Sequence, residues 1–239
     1  SKRCVVPLCA DNGVVAEGVT QTGQDVTAIV TRNFLDGKTS VCKFAQLANC
    51  DVIPVDLGVA EDIDDPRLIK NKFSNGTANI CKGPAMSREK AVSAIIFGID
   101  LVGKLKKDGY KLIATGEMGI GNTTTSSAVA AVLLNKEPDL VTGYGSGLTK
   151  EGLARKIAVI KQAIALNSPN PYDPVDILAK VGGYDIAGMC GMFIGGALHK
   201  IPVLIDGFIS SVSALCAVRL CPVVNEYLLA SHTSRELAA

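Results

Sequence analysis

Four short apolar runs, separated by longer stretches of helical pattern, constrain the fold of this chain most. They are Cys4-Val5-Val6-Pro7-Leu8-Cys9, Val52-Ile53-Pro54-Val55-Asp56-Leu57, Lys111-Leu112-Ile113-Ala114-Thr115 and Val203-Leu204-Ile205-Asp206. Each is continuous rather than alternating, the pattern of a strand covered on both faces. Pro7 is a blemish in the first, because proline removes a ladder donor. Between the runs, Val26, Ile29, Val30 and Phe34 fit one helical face, and Leu153, Ile157, Ile160 and Ile164 fit another. Ser87 is placed to cap a long helix ending near Gly109, and Asp173-Pro174 reads as a cap followed by a first helical position. Strands alternating with helices predict an α/β fold: a doubly wound, mostly parallel sheet with helices on both faces, a Rossmann-like three-layer arrangement. Residues 58 to 85 are the least regular segment and read as a long excursion near the site.

At 239 residues and 48% hydrophobic, the chain is long and apolar enough to bury a substantial core. A formal net charge of +1 makes no electrostatic case for a nucleic-acid partner. No apolar run reaches membrane-spanning length, so no membrane partner is expected. Ser1-Lys2-Arg3-Cys4 leads into the first strand, and the apolar stretch runs too soon into Asp11 to read as a signal peptide. The 8 cysteines form no C-x-x-C pair and sit mostly in apolar runs, so they read as reduced, cytoplasmic core residues. His199 and His232 lie far from any close cysteine pair, and no metal or cofactor is expected.

In a parallel α/β sheet, ligands bind beyond the carboxyl ends of the strands. All four runs lead there into acidic or glycine-rich loops: Ala10-Asp11-Asn12-Gly13, Asp56 with Gly58, Gly116 to Thr124, and Asp206-Gly207. In the third, Gly119 and Gly121 allow close backbone approach, and Asn122, Thr123 and Thr124 open a helix. A helix N-terminus offers free N–H groups and partial positive charge to a phosphate. The same residues also read as a plain glycine turn with threonine capping. The loop is not a Walker loop and lacks G-x-G-x-x-G spacing, which argues against a dinucleotide-dependent dehydrogenase. A second glycine loop, Thr142 to Thr149, contains Gly143 and Gly145. Lys156 follows two turns into the next helix, placed either for a phosphate or for plain surface. Glu117 is costly to bury unless paired or hydrogen-bonded. It reads as a ligand for sugar hydroxyls, as a base, or as an acceptor for loop N–H groups. Asp206 has the same readings, and His232 with Glu236 reads as cleft wall or helix start.

Taken together, Gly116 to Thr124 resembles the signature loop of the nicotinate-nucleotide:dimethylbenzimidazole phosphoribosyltransferase family. Ala10 to Val14, Glu17-Gly18-Val19, Val55 to Gly58, Gly83 to Ser87, Val181 to Asp185, Val203 to Phe208 and Ser231 to Ser234 agree in the same order, across almost the whole chain. The resemblance implies a nucleotide-binding α/β core over residues 1–239, usually in a homodimer. It implies transfer of ribose phosphate from nicotinate mononucleotide to 5,6-dimethylbenzimidazole or a related aromatic base, in building the lower ligand of cobamides. It implies that Gly119, Gly121, Asn122, Thr123 and Thr124 hold phosphate and ribose. Gly143, Gly145 and Lys156 would complete the phosphate pocket, and Glu117 would line the ribose or aromatic site. Thr22 and Met118 would meet the acceptor, and Asp11 and Asp206 would sit at the cleft.

The chain departs from the family pattern in four ways. The family carries its general base as a glutamate in a Leu-Gly-Glu-Gly-like motif after the Ser-His segment, and residues 1–239 contain no such motif. The resemblance therefore puts that base beyond Ala239. The family's N-terminal helical segment before the first strand is also missing, so its small helical domain is expected to be largely absent. Asn12 stands where the family usually has His, and Val30 where some members place a Gln that orients the acceptor. Two alternatives stay open: a non-catalytic nicotinate-nucleotide-binding core or subunit, and Glu117 as a substitute base.

Overall fold

A computed structural model describes residues 1–232 together with Ser234 and Glu236. Thr233, within the Ser-His segment quoted above, lies outside the described residues. So does Ala239, the position beyond which the resemblance puts the family's general base. Seven strands form one sheet: β1 (Arg3–Ala10), β2 (Asp51–Val52), β3 (Val55–Gly58), β4 (Ile69–Lys70), β5 (Leu112–Met118), β6 (Val203–Ile205) and β7 (Leu228–Ala230). The order is β4-β3-β1-β5-β6-β7, with β2 also beside β1, and every pairing is parallel. From β1 the chain builds outward to β3 and β4, then crosses back to build β5, β6 and β7 on the other side. The order therefore reverses between β1 and β5, the switch point at which such sheets bind ligands.

The second apolar run, read above as one strand, is two. Ile53-Pro54 breaks it between β2 and β3. The Ile53 N–H donates to Val5 O at 2.9 Å. Val5 and Pro7 are two residues apart, so their backbone groups face the same edge of β1. The donor that Pro7 lacks thus faces the Ile53-Pro54 interruption, which is how a proline is tolerated in a central strand.

The helices are α1 (Asp25–Leu35), α2 (Ser40–Leu47), α3 (Arg88–Lys107), α4 (Asn122–Leu134), α5 (Pro138–Val141), α6 (Lys150–Asn167), α7 (Pro174–Val181), α8 (Tyr184–His199) and α9 (Phe208–Leu220). They cover both faces of the sheet. Cys4, Val6 and Leu8 of β1 enter the main core with residues of α3, α8 and α9. Cys9 points the other way, into a smaller cluster with Ala28 of α1, Val59, Ile63 and Leu68. The expected caps are present. The Ser87 side chain accepts from Lys90 N, and Asp173 accepts from Val175 N and Asp176 N, with Pro174 next.

Two expected helical faces are rotated. On α1 the buried residues are Thr27, Ala28 and Thr31, and Ile29 is 48% exposed. Hydrogen bonds explain the threonines: Thr27 Oγ1 accepts from Ile120 N, and the Thr31 hydroxyl donates to Thr27 O. On α6 the buried face is Lys156, Val159, Ile160 and Ala163. Residues 58 to 85 contain only the two-residue strand β4 after β3 ends, and they fold back on β1, where Thr77 N donates to Asp11 O. No helix among the described residues is long and apolar enough to cross a membrane. All eight cysteines are free thiols.

Helices α3 and α8 touch backbone to backbone. A Cβ on Gly98 would lie 2.1 Å from Gly188 O, and one on Gly191 would lie 1.9 Å from Ile95 O. Only glycine fits such contacts, and α8 is fully buried from Tyr184 to Phe193. Gly191→Ala is expected to lower unfolding free energy by about 1–3 kcal/mol through overpacking. Urea denaturation checks this, and an unchanged midpoint would contradict the packing described.

Candidate active site

The carboxyl ends of β1 and β5 meet at the switch point. Beyond Met118 the chain passes so near β1 that a Cβ on Gly119 would lie 2.3 Å from Ala10 O. Gly121 then takes φ 93°, a left-handed conformation suited to glycine, and starts α4 as its N-cap. No side chain caps α4. Asn122 N donates to Gly119 O and Thr124 N to Gly121 O, which leaves the Thr123 N–H and the positive dipole end of α4 to the cleft. Thr123 faces that cleft. Thr124 does not: it is fully buried on the core side of α4.

Lys156 reaches the same place from α6. Its side chain is 1% exposed, and Nζ donates to Thr123 Oγ1 at 2.9 Å and to Gly143 O at 3.3 Å. No carboxylate within salt-bridge range pairs with it among the described residues. Burial lowers its pKa from 10.5 to about 8. A buried ammonium with two neutral partners beside an uncapped helix start is suited to an anion.

Three cavities share Glu117. The first, about 160 Å³, is lined by Thr22, Met118, Gly119, Gly121, Asn122, Thr123 and Gly145. The second, also about 160 Å³, runs past Thr123 to Asp206 and Glu236. The third, about 640 Å³, is mostly apolar. Its floor is the sheet face at Val5, Pro7, Ala114 and Gly116, and its wall is Val30 and Phe34 of α1 with Phe44 and Ala45 of α2. The α1 stripe that leaves the core thus becomes cavity wall.

Glu117 is half-buried where it lines the three cavities, with protein atoms crowding its carboxyl group, and its pKa rises from 4.5 to about 7. Desolvation is the main cause and Asp185 the second, while a hydrogen bond from Asn122 works against both. Asn122 Nδ2 donates to Glu117 Oε2 and, at 2.9 Å, to Asp185 Oδ2. Asp185, fully buried in the first turn of α8, is raised from 3.8 to about 6, chiefly by desolvation.

The remaining expected residues are placed as follows. Asp206 is exposed at the end of β6 and borders two of the cavities. Gly143 and Gly145 flank Lys156 Nζ, which a Cβ on Gly145 would approach to 3.4 Å. Asp11 stands apart: it is 1% exposed behind the cleft, and its Oδ2 accepts from Ala60 N at 2.7 Å. Asn12 is wholly buried and braces the loop, its amide donating to Ala10 O and Ile120 O, both at 3.4 Å. His232 is exposed and bonds Ser231. Asp185 carried no expected role, although an acid just after Gly182-Gly183-Tyr184, at a helix start, was a visible signal. Among the described residues, no group of three or more His, Cys, Asp or Glu is arranged to hold a metal ion.

A phosphoribosyltransferase family model matches residues 1–239. The chain belongs to that family. It is 53% identical to the nicotinate-nucleotide–dimethylbenzimidazole phosphoribosyltransferase of Ruminiclostridium cellulolyticum, over 97% of this chain and 66% of that protein. It is 51% identical to the protein of the same name from Acetivibrio thermocellus, over 98% of this chain and 67% of that protein. The chain thus spans about two thirds of the length of these curated relatives. The crystal structure of CobT from Thermus thermophilus superposes with a TM-score of 0.95 at 38% identity, covering 100% of this chain and 72% of that one.

Stability should follow Lys156. Between pH 8 and 10.5 the unfolded chain keeps a proton on Lys156 that the folded chain has lost, so this residue's contribution to unfolding free energy rises with pH across that window. The buried thiols of Cys4, Cys9, Cys190 and Cys216, all raised from 9.0, contribute the opposite slope. Below pH 8 the buried charge is a standing cost. The unfolding free energy of the wild type minus that of Lys156→Met should therefore rise from pH 8 to 10.5, and the variant should lose thermal protection by inorganic phosphate, both checked by thermal melts across pH. A difference that stays flat across that window would refute the buried-ammonium description.

Proposed function

We propose that this chain binds nicotinate mononucleotide and an aromatic base and transfers ribose phosphate between them. The acceptor is 5,6-dimethylbenzimidazole or a related heterocycle, and the products are nicotinate and the α-riboside 5'-phosphate used in cobamide lower-ligand assembly. The observation that carries this reading is the position of Glu117, where an anion-suited cleft and a larger apolar cavity meet. Phosphate would lie at the start of α4 beside Lys156, and ribose along Gly119 to Thr123. The acceptor ring would occupy the apolar cavity under α1 and α2.

The chemistry needs little from the leaving group. The bond from the anomeric carbon to the pyridinium nitrogen breaks, and nicotinate departs with its ring neutral. An acceptor nitrogen forms the new bond from the opposite face, which gives the α configuration. The proton on the other acceptor nitrogen must go to a carboxylate. Glu117, near neutral in pKa and at the junction, is placed for that proton or for steadying the cationic ring. Holding both substrates in one cleft supplies the orientation on which such a transfer depends. The name and matched length of the relatives support this reading. A homodimer and a cytoplasmic setting belong to the same proposal, the first supported by the family resemblance and the second by the free thiols. We also propose that residues 1–239 are a single α/β core.

The test is an endpoint assay of this chain with nicotinate mononucleotide and 5,6-dimethylbenzimidazole, reading nicotinate and α-riboside phosphate by chromatography beside a donor-binding titration. Product is expected. Glu117→Gln should then cut turnover by roughly 10²–10⁴-fold, the usual worth of a positioned proton acceptor, with donor affinity retained. Donor binding without product would favour the binding-core alternative, and no donor binding would overturn the proposal.

A further inference from the structure

We propose that Asp185 is a positioning residue for Glu117, and that the two carboxyl groups, bridged by the Asn122 amide, hold one proton between them near neutral pH. Asn122 has two side-chain N–H donors and spends one on each carboxyl group. That leaves one neutral amide between two acids in a buried setting. Neither acid makes an ion pair among the described residues. The charged or titratable groups facing them add no cation: Cys9 and Asp11 come from β1 and its loop, and Asp206 from the end of β6. Two carboxylates sharing such a site cannot both ionise cheaply.

Asp185 is the member of the pair that holds the charge, because it lies in the first turn of α8, whose positive end favours the ionised form. Asp185 Oδ1 is buried and has no partner. It lies 2.5 Å from the position a Gly183 Cβ would take, and Asn12 Oδ1 lies 2.9 Å from the same point. Asn12 is oriented by its two donor contacts to Ala10 O and Ile120 O, and its Oδ1 accepts from the Thr125 hydroxyl at 3.4 Å. The shared proton therefore belongs on Glu117, the open end of the pair, and the Asp185 anion beside it strengthens the hold of Glu117 on that proton. Both groups are displaced upward, to about 7 and about 6, chiefly by desolvation, and the Asp185 charge adds to the rise at Glu117. On the proposed reaction, on which this consequence rests, Asp185 keeps Glu117 basic enough to take a proton.

The test is a carbon-13 NMR titration of the side-chain carboxyl groups in the free 239-residue chain, with no substrate present. Both Glu117 and Asp185 resonances should trace two steps at shared midpoints. In Asp185→Asn, Glu117 should titrate in one step, lower by about one unit, a tenfold change in proton concentration. Independent single-step curves in the wild type would overturn the proposal, even if the variant fails to fold. An unmoved Glu117 midpoint in a folded Asp185→Asn would also overturn it. The same variant should shift the acid limb of kcat/KM by the same tenfold with donor KM unchanged. Failure of transfer in every form would sink the proposed function while leaving the NMR result to decide the carboxyl pair.

Discussion

The close approach of Gly119 to Ala10 O holds the site together. It joins the ends of two adjacent strands on which the chain has built in opposite directions. Asn12 ties the same two loops from behind, bonding Ile120 O. With the loops fixed, three separately encoded features converge: the start of α4, the lysine of α6 and the first turn of α8. A side chain at position 119 would push the loop off β1 and separate all three.

The site keeps charges of both signs buried without neutralising them against each other. Lys156 leans on a hydroxyl and a carbonyl, while Glu117 and Asp185 lean on one amide. Burial works against each charge, which is why the lysine is lowered and the two acids are raised. Such an arrangement costs stability in the empty protein. A ligand with an anionic end and a cationic ring would relieve both strains at once, and the donor of the proposed reaction has that form.

The sheet was legible because strands covered on both faces leave continuous apolar runs, and four such runs were plain. Strands β4 and β7 were not, since two or three residues carry no pattern. The split at Ile53-Pro54 follows from proline chemistry and was readable in principle. The cleft loops were legible through glycine and threonine at a strand end, but the direction of each side chain was not. Thr123 and Thr124 are neighbours, yet only one faces the cleft. Lys156 was read as either functional or surface, although it stands three, four and seven positions before Val159, Ile160 and Ala163. A lysine on the apolar face of its own helix was the signal, and it was obscured by choosing the neighbouring stripe. Asp185 lay hidden because its partners come from β5 and α4, remote in sequence.

The large cavity is walled unevenly. Its floor is the central sheet, where any change would disturb β1 and β5 together. Its outer wall is α1 and α2, surface helices whose Phe44 and Leu47 are 70% and 84% exposed. Substitutions at Val30, Phe34 or Phe44 would reshape the space without touching the loop junction, Lys156 or the buried acids. The two proposed substrate positions therefore differ in how freely their walls can change. On the proposed reaction, the acceptor space can be recut from one wall while the phosphate end is left as it is.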